Sequence, residues 1–247
     1  NGKRISYGDN VYTSDLLTEH AVEWMEQLES DQPFFVYLSH KAVHSKFKQA
    51  ARHAGMYAGV DYELPATYSQ TQDGSYKELL WPEWVKQQRH SWHGVDYMYH
   101  AKGAVGDLVI DYCETLMGVD ESIGTVMAYL EARGIADETV VIYMGDNGFS
   151  WGEHGLIDKR HFYEESAKVP LLVACPKLFE GGETLHSLVQ NIDIAPTILS
   201  LAGKDPKSIS PEMDGISFAP LIRGKDQINR RNHILYEYHW EWNFPAT

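Results

Sequence analysis

The sequence is short of cysteine, of basic charge and of long apolar runs, and each shortage removes a class of protein. Two cysteines in 247 residues cannot build the multi-bridge framework of a small secreted domain or a thiolate metal cluster. Cys113 lies in a helical pattern and Cys175 ends an apolar run, so both read as buried free thiols. Lys and Arg number 21 against 35 Asp and Glu, a formal net charge of −14, with no long Lys/Arg run. Such a chain lacks the cations that neutralise phosphates, so nucleic acid is not the expected partner. The longest apolar stretches, Thr139 to Met144 and Val169 to Cys175, fall far short of the roughly 20 residues a membrane helix needs. No membrane span is expected, and no apolar segment follows Lys3 and Arg4 as a signal peptide would require.

What is present is a globular composition, 43% hydrophobic and 23% charged, enough to bury a core. Leu17, Ala21, Trp24, Met25 and Leu28 form a helical stripe within Thr13 to Glu29, with Thr13 or Ser14 as the expected N-cap. Phe34 to Leu38 is short and continuously apolar, as a strand buried on both faces should be. A longer helix is expected from Gly103 to Arg133, ended by Gly134, and further strands over Thr139 to Met144 and Val169 to Ala174. Helix and strand in alternation give an α/β class, with a mostly parallel sheet flanked by helices. Residues 50–100 form a long aromatic-rich insertion. Its Trp and Tyr residues suit either stacking on sugar rings or packing beneath a long loop, and both readings stand.

Two clusters follow strands, where α/β sheets place their ligand crevices. The first, Ser39 to Phe47, carries Lys41 and His44: a fixed positive charge and a group that exchanges protons near neutral pH, suited to holding an anion. A solvated basic loop is the plainer alternative. The second, Gly145 to Gly155, opens with Asp146 and Asn147, two hard oxygen donors of the kind Ca²⁺ or Mg²⁺ accepts. Asp-Asn-Gly is also an ordinary turn sequence. The continuation brings His154, Lys159, Arg160 and His161, and cations beside a metal suit a tetrahedral oxyanion.

These motifs resemble the type I sulfatases of the alkaline phosphatase superfamily. The matching segments are Phe34 to His44, Asp146 to Gly148, Gly152 to Ser166, Val169 to Leu171, Asn191 to Leu199 and Asp214 to Leu221, in family order along the chain. The resemblance implies a sulfuric ester hydrolase acting on a sulfated sugar or polysaccharide, similar to N-acetylglucosamine-6-sulfatases, with Ca²⁺ as cofactor. It maps Asp146 and Asn147 onto two metal ligands. His44 falls on the histidine facing the sulfate ester, and Lys159 on the lysine that binds a sulfate oxygen and assists the leaving group. Lys41, His154, Arg160 and His161 fall beside the substrate. A periplasmic, secreted or lysosome-like location is the family expectation.

The resemblance also implies a formylglycine nucleophile made from Cys/Ser-x-Pro/Ala-x-Arg, and neither Cys113-Glu114-Thr115-Leu116-Met117 nor Cys175-Pro176-Lys177-Leu178-Phe179 fits. An early Asp-Asp pair and a Gly-Lys-Trp-His element are missing too. The expectation is a chain that begins partway through a sulfatase domain, with residues 1–225 in the catalytic domain and 226–247 opening a C-terminal subdomain through a strand from Ile234. Such a piece should be inactive alone and hold calcium weakly. It should also expose a sheet edge prone to self-association. A phosphate or phosphonate monoester hydrolase of the same superfamily and a noncatalytic carbohydrate-binding pseudoenzyme are the other readings.

Overall fold

A computed structural model describes residues 5–8, 10–68, 105–224 and 231–237. Most of the aromatic-rich insertion, residues 69–100, lies outside the described residues, as does the strand expected from Ile234 beyond residue 237; residues 231–237 themselves form no strand. The chain divides into two compact units, residues 1–135 with 151–157, and residues 136–150 with 158–247.

In the first unit, α1 (Thr13–Glu26) packs against α2 (Val105–Ala132). The N-cap of α1 is Tyr12, without a side-chain cap bond, in place of the expected Thr13 or Ser14. Ser14 and Thr18 are buried on the inner face, where Thr18 Oγ1 donates to Ser14 O and lies 2.5 Å from Ser122 Oγ on α2. A Cβ on Gly118 would stand 2.6 Å from the Tyr12 ring, so a glycine in mid-helix is what admits that ring. Gly134 ends α2 as the sequence leads one to expect: φ is +69°, Gly134 N donates to Glu131 O and Ile135 N to Leu130 O, a Schellman motif. Arg52 binds Asp15 on α1 and Glu121 on α2, stapling the intervening loop to both helices. Buried Glu114 accepts from Gln49 and the Tyr57 N–H. Burial opposes its charge, but those bonds, with the Gly55 N–H, hold its carboxyl below the ordinary value.

Phe34 to Leu38 is not a buried strand. It is free of backbone hydrogen bonds to any described residue, and its side chains alternate, with Phe35 64% and Tyr37 82% exposed. Its apolar run was long enough for a strand, but a strand needs a ladder partner and no described residue supplies one. With Leu17, Ala21 and Trp24 of α1 it lines an open groove of about 330 Å³.

In the second unit, β1 (Val141–Met144) pairs with β2 (Leu171–Ala174), followed by α4 (Ile194–Leu201), α5 (Pro206–Ile209) and α6 (Ala219–Ile222); α3 (Glu164–Ala167) lies between the strands. The pair is antiparallel, with Val141 opposite Ala174 and Met144 opposite Leu171. The mostly parallel expectation is for the sheet of the whole fold, and these two described strands are one antiparallel pair in it. A parallel pair needs a crossover of a dozen or more residues, usually helical. Here the connection is long enough, but its only helical pieces are the four-residue α3 and the 3-10 turn Glu153–Gly155, and it folds back so that Gly145 N bonds Pro170 O. Nor is β2 buried on both faces, since Leu172 and Ala174 are exposed. Both cysteines are free, as the sequence reading has them; Cys175 is buried as expected and Cys113 only half-buried.

The segments matched as Asn191 to Leu199 and Asp214 to Leu221 form one clasp. Asp193, 1% exposed, accepts from the N–H groups of Gln190 (2.8 Å) and Ile216 (2.7 Å) and from both terminal nitrogens of Arg231 (2.5 and 2.9 Å). Thr197 Oγ1 donates to Asp193 O and accepts from Phe218 N. A Cβ on Gly215 would lie 1.9 Å from Ile192 O, which only glycine avoids.

Candidate active-site segments

In the second unit the chain leaves β1 at Met144 and turns through Gly145 to Gly148, placing Asp146 and Asn147 at the carboxyl end of the strand, both exposed. Asp146 Oδ1 accepts from Asn147 N at 2.8 Å, and Asn147 Nδ2 donates to Gly148 O at 2.7 Å. Among the described residues, Asp146 Oδ2 and Asn147 Oδ1 accept no hydrogen bond and stand open. The turn is held against the segment that carries the cations: Gly148 N donates to Ser166 O at 2.8 Å and Ser150 N to Asp158 O at 2.9 Å. A Cβ on Gly148 would sit 2.0 Å from Glu165 O, so the approach demands glycine. Asn191 closes the arrangement, its Nδ2 donating to Asp146 O at 2.9 Å.

The three residues Lys159, Arg160 and His161 have three different fates. Arg160 is spent on buried Asp158, its Nε 3.0 and 3.1 Å from the two carboxylate oxygens. His161 is an internal strut rather than a surface group. It is 1% exposed, with Nδ1 2.9 Å from Ser166 Oγ and Nε2 3.5 Å from Ser150 Oγ. Tyr163 packs edge-on to its ring. Lys159 is half-buried, anchored only through its backbone N–H to Asp158 Oδ1. Its ammonium forms no ion pair among the described residues and is free to meet an external anion.

The first unit carries the other expected groups. His40 Nε2 lies 3.0 Å from Ser122 Oγ on α2, and its Nδ1 is buried without a partner. Burial pushes the His40 imidazole below its ordinary pKa, so a neutral ring pins the start of the loop that follows. Lys41 and His44 are exposed on that loop, closed by His44 N donating to Lys41 O, with His44 Nδ1 2.8 Å from Ser45 O. His154 sits at φ +55° between Gly152 and Gly155, both also at positive φ, and its N–H donates to Thr67 Oγ1. Phe47, Tyr112 and Trp151 pack nearby with ring centres 5.0 to 5.8 Å apart.

The donors at the turn match calcium in kind, a carboxylate and an amide oxygen, both facing outward. They match it in number only in part: among the described residues no cluster of three or more His, Cys, Asp or Glu could hold a metal. Two protein oxygens cover a minority of the roughly six to eight that Ca²⁺ takes. Sequence reading gave no role to Asn191, Asp193, Ser150 or Ser166. The first two could have been noticed, since Asn-x-Asp directly ahead of a helix with an early Pro is the pattern of a helix start with polar work to do.

The profile of the Sulfatase family matches residues 3–204. The N-acetylglucosamine-6-O-sulfatase of Bacteroides thetaiotaomicron is 28% identical across 95% of this chain and 50% of its own length. The Homo sapiens N-acetylglucosamine-6-sulfatase is 30% identical across 98% of this chain and 42% of its own. The chain thus spans about half the length of the curated relatives it matches. A solved structure described as in complex with its substrate D-glucosamine-2-N,6-O-disulfate superposes with a TM-score of 0.79 at 25% identity, covering 99% of this chain and 58% of that one. The phosphonate monoester hydrolase of Silicibacter pomeroyi shares the fold, with a TM-score of 0.73 at 23% identity over 91% of this chain and 43% of that one. A family match over most of the chain, and relatives at 30% identity along nearly all of it, show that this chain belongs to the sulfatase family, with its α/β fold.

Proposed function

We propose that these 247 residues form the metal-binding and leaving-group side of a hydrolase that removes sulfate from an amino sugar or its polysaccharide. The observation that carries the reading is the Asp146–Asn147 turn, which is pinned through Gly148 and Ser150 to the segment bearing Lys159, whose ammonium forms no ion pair among the described residues. Names and substrate descriptions of the relatives support the substrate class: N-acetylglucosamine-6-sulfatases by sequence, and a glucosamine disulfate complex by structure.

In the reaction a sulfate ester and water give an alcohol and sulfate. Calcium, when bound through Asp146 and Asn147, would draw negative charge from the sulfate oxygens. Lys159 holds a sulfate oxygen through N–H donation and supplies a proton to the departing sugar oxygen. His44 is assigned from its motif alone to face the ester, and Lys41 and His154 from theirs to lie beside the substrate, whereas the charge of Arg160 is already paired with Asp158. The reading carries a location with it, periplasmic, secreted or lysosome-like. Among the described residues no helix is long and apolar enough to cross a membrane.

No Cys/Ser-x-Pro/Ala-x-Arg motif occurs in the 247 residues, so turnover needs a nucleophile supplied from outside them. The test compares the chain alone with the chain joined to the nucleophile-bearing segment of the Bacteroides thetaiotaomicron relative, on N-acetylglucosamine-6-sulfate and on a phenyl phosphonate ester. The expected result is no turnover alone and sulfate release from the joined protein. Sulfate release by the chain alone would overturn the nucleophile argument. Phosphonate cleavage without sulfate release would favour the phosphonate hydrolase, and sugar binding without turnover of either substrate the pseudoenzyme.

A further inference from the structure

Asn191 is the first residue of the 3-10 turn Asn191–Asp193 that leads into α4. Its side chain does no capping work for its own helix, because Gln190 and Asp193 already form the capping box. Its amide reaches instead to a segment some 45 residues earlier, where Nδ2 donates to Asp146 O at 2.9 Å and meets Gly145 O at 3.3 Å. The rest of the turn is held by backbone at its two ends, Gly145 N to Pro170 O and Gly148 N to Ser166 O. Between those anchors, and apart from the turn's own Asp146 and Asn147, Asn191 is the side chain that meets the main chain of the turn among the described residues. Asn191 is itself fixed, since Asp193 two residues on is buried and clamped by Arg231 and the Ile216 N–H.

We infer that Asn191 is a positioning residue for the cation-binding turn. By holding the Asp146 carbonyl it fixes the peptide between Asp146 and Asn147, and so sets the direction in which Asp146 Oδ2 and Asn147 Oδ1 stand open. Asn191 meets the turn through its donor nitrogen, so the role inferred for it is to hold the turn and not to bind the cation. A cation arriving at a turn already ordered pays no entropy to order it, so affinity depends on a residue that never touches the metal. This inference rests on the calcium reading of Asp146 and Asn147 given above, but its first test does not.

That test is amide hydrogen exchange on the metal-free 247-residue chain and on its Asn191→Ala and Asn191→Leu variants, the second preserving side-chain size without a donor. Exchange at Asn147 and Gly148 is expected to quicken about tenfold in both variants, the loss of one hydrogen bond, while α4 exchanges as before. Unchanged rates at Asn147 and Gly148 would overturn the inference. So would a general quickening through α4, which would make Asn191 a stability residue and nothing more. Calcium titration by calorimetry then separates the two layers. The wild-type chain is expected to bind in the weak regime of a two-donor site, and both variants about tenfold more weakly. Equal affinity in wild type and variants overturns the positioning role. Absence of calcium binding in the wild type at tens of millimolar overturns the calcium reading, and the exchange rates still decide what Asn191 does.

Discussion

Replacing Asp193 by Ala should be among the most damaging single changes in the second unit. The carboxylate accepts from Gln190 N, Ile216 N and both terminal nitrogens of Arg231. It does so at 2% side-chain exposure, with the Arg231 side chain at 15%. Removing it leaves a mostly buried guanidinium unpaired and two backbone donors without an acceptor. A broken buried ion pair costs about 3–5 kcal/mol. For a chain of this size that is a fall in melting temperature of roughly 6–20 °C. The double variant Asp193→Leu with Arg231→Met removes both charges together and should recover a large part of the loss. The same clasp gives a pH signature. Burial works against ionisation of Asp193, but Arg231 and the two N–H groups outweigh it and hold its carboxyl below the ordinary value. The folded state therefore binds fewer protons than the unfolded chain in this range. The stabilisation is complete above the unfolded carboxylate value of about 3.9 and drains away as the pH falls through the folded one. Thermal melts from pH 3 to 7 on wild type and both variants provide the assay. A loss below about 1 kcal/mol in Asp193→Ala, or a double variant as unstable as the single one, would refute the reasoning.

Three further outcomes follow from the site and the surface. Lys159→Met should leave the melting temperature within the error of a surface change, because its ammonium holds no described partner, yet lower sulfate release by the joined protein about 10²-fold; equal loss of both would mark a folding role. Gly148→Ala must push Glu165 O back from 2.0 Å and strain the Gly148 N to Ser166 O bond, a cost of about 1–3 kcal/mol measurable by urea titration, and an unchanged midpoint would show the two segments are not held as described. Phe35→Glu with Tyr37→Lys should reduce self-association in light scattering without changing stability by more than about 0.5 kcal/mol, since both rings stand exposed on a segment with no backbone hydrogen bond among the described residues; association that persists would move the sticky surface elsewhere.

The helices were legible because their signals are local. Apolar spacing marks α1 and α2, and Gly134 supplies the left-handed residue that a Schellman motif requires. The strands β1 and β2 were legible as apolar runs, each a couple of residues longer in sequence than in the sheet. Their pairing was not, because an apolar run has no direction and the connecting segment held no helix long enough to force a crossover. Phe34 to Leu38 shows the same limit from the other side: the pattern of a strand without the ladder that makes one.

At the site, residue type and order were enough to single out Asp146, Asn147 and Lys159 and to name the family. Tertiary structure gave three neighbouring residues, all placed at the substrate by the resemblance, three different surroundings. Lys159 stays unpaired among the described residues, Arg160 is neutralised by Asp158, and His161 is sealed between two serines. It also brought Asn191 to a turn 45 residues away. The physical reason is common to all four. Donor and acceptor types are properties of the residue and are written in the sequence. Burial and partnership depend on which distant backbone comes within about 3 Å, and only the folded chain decides that.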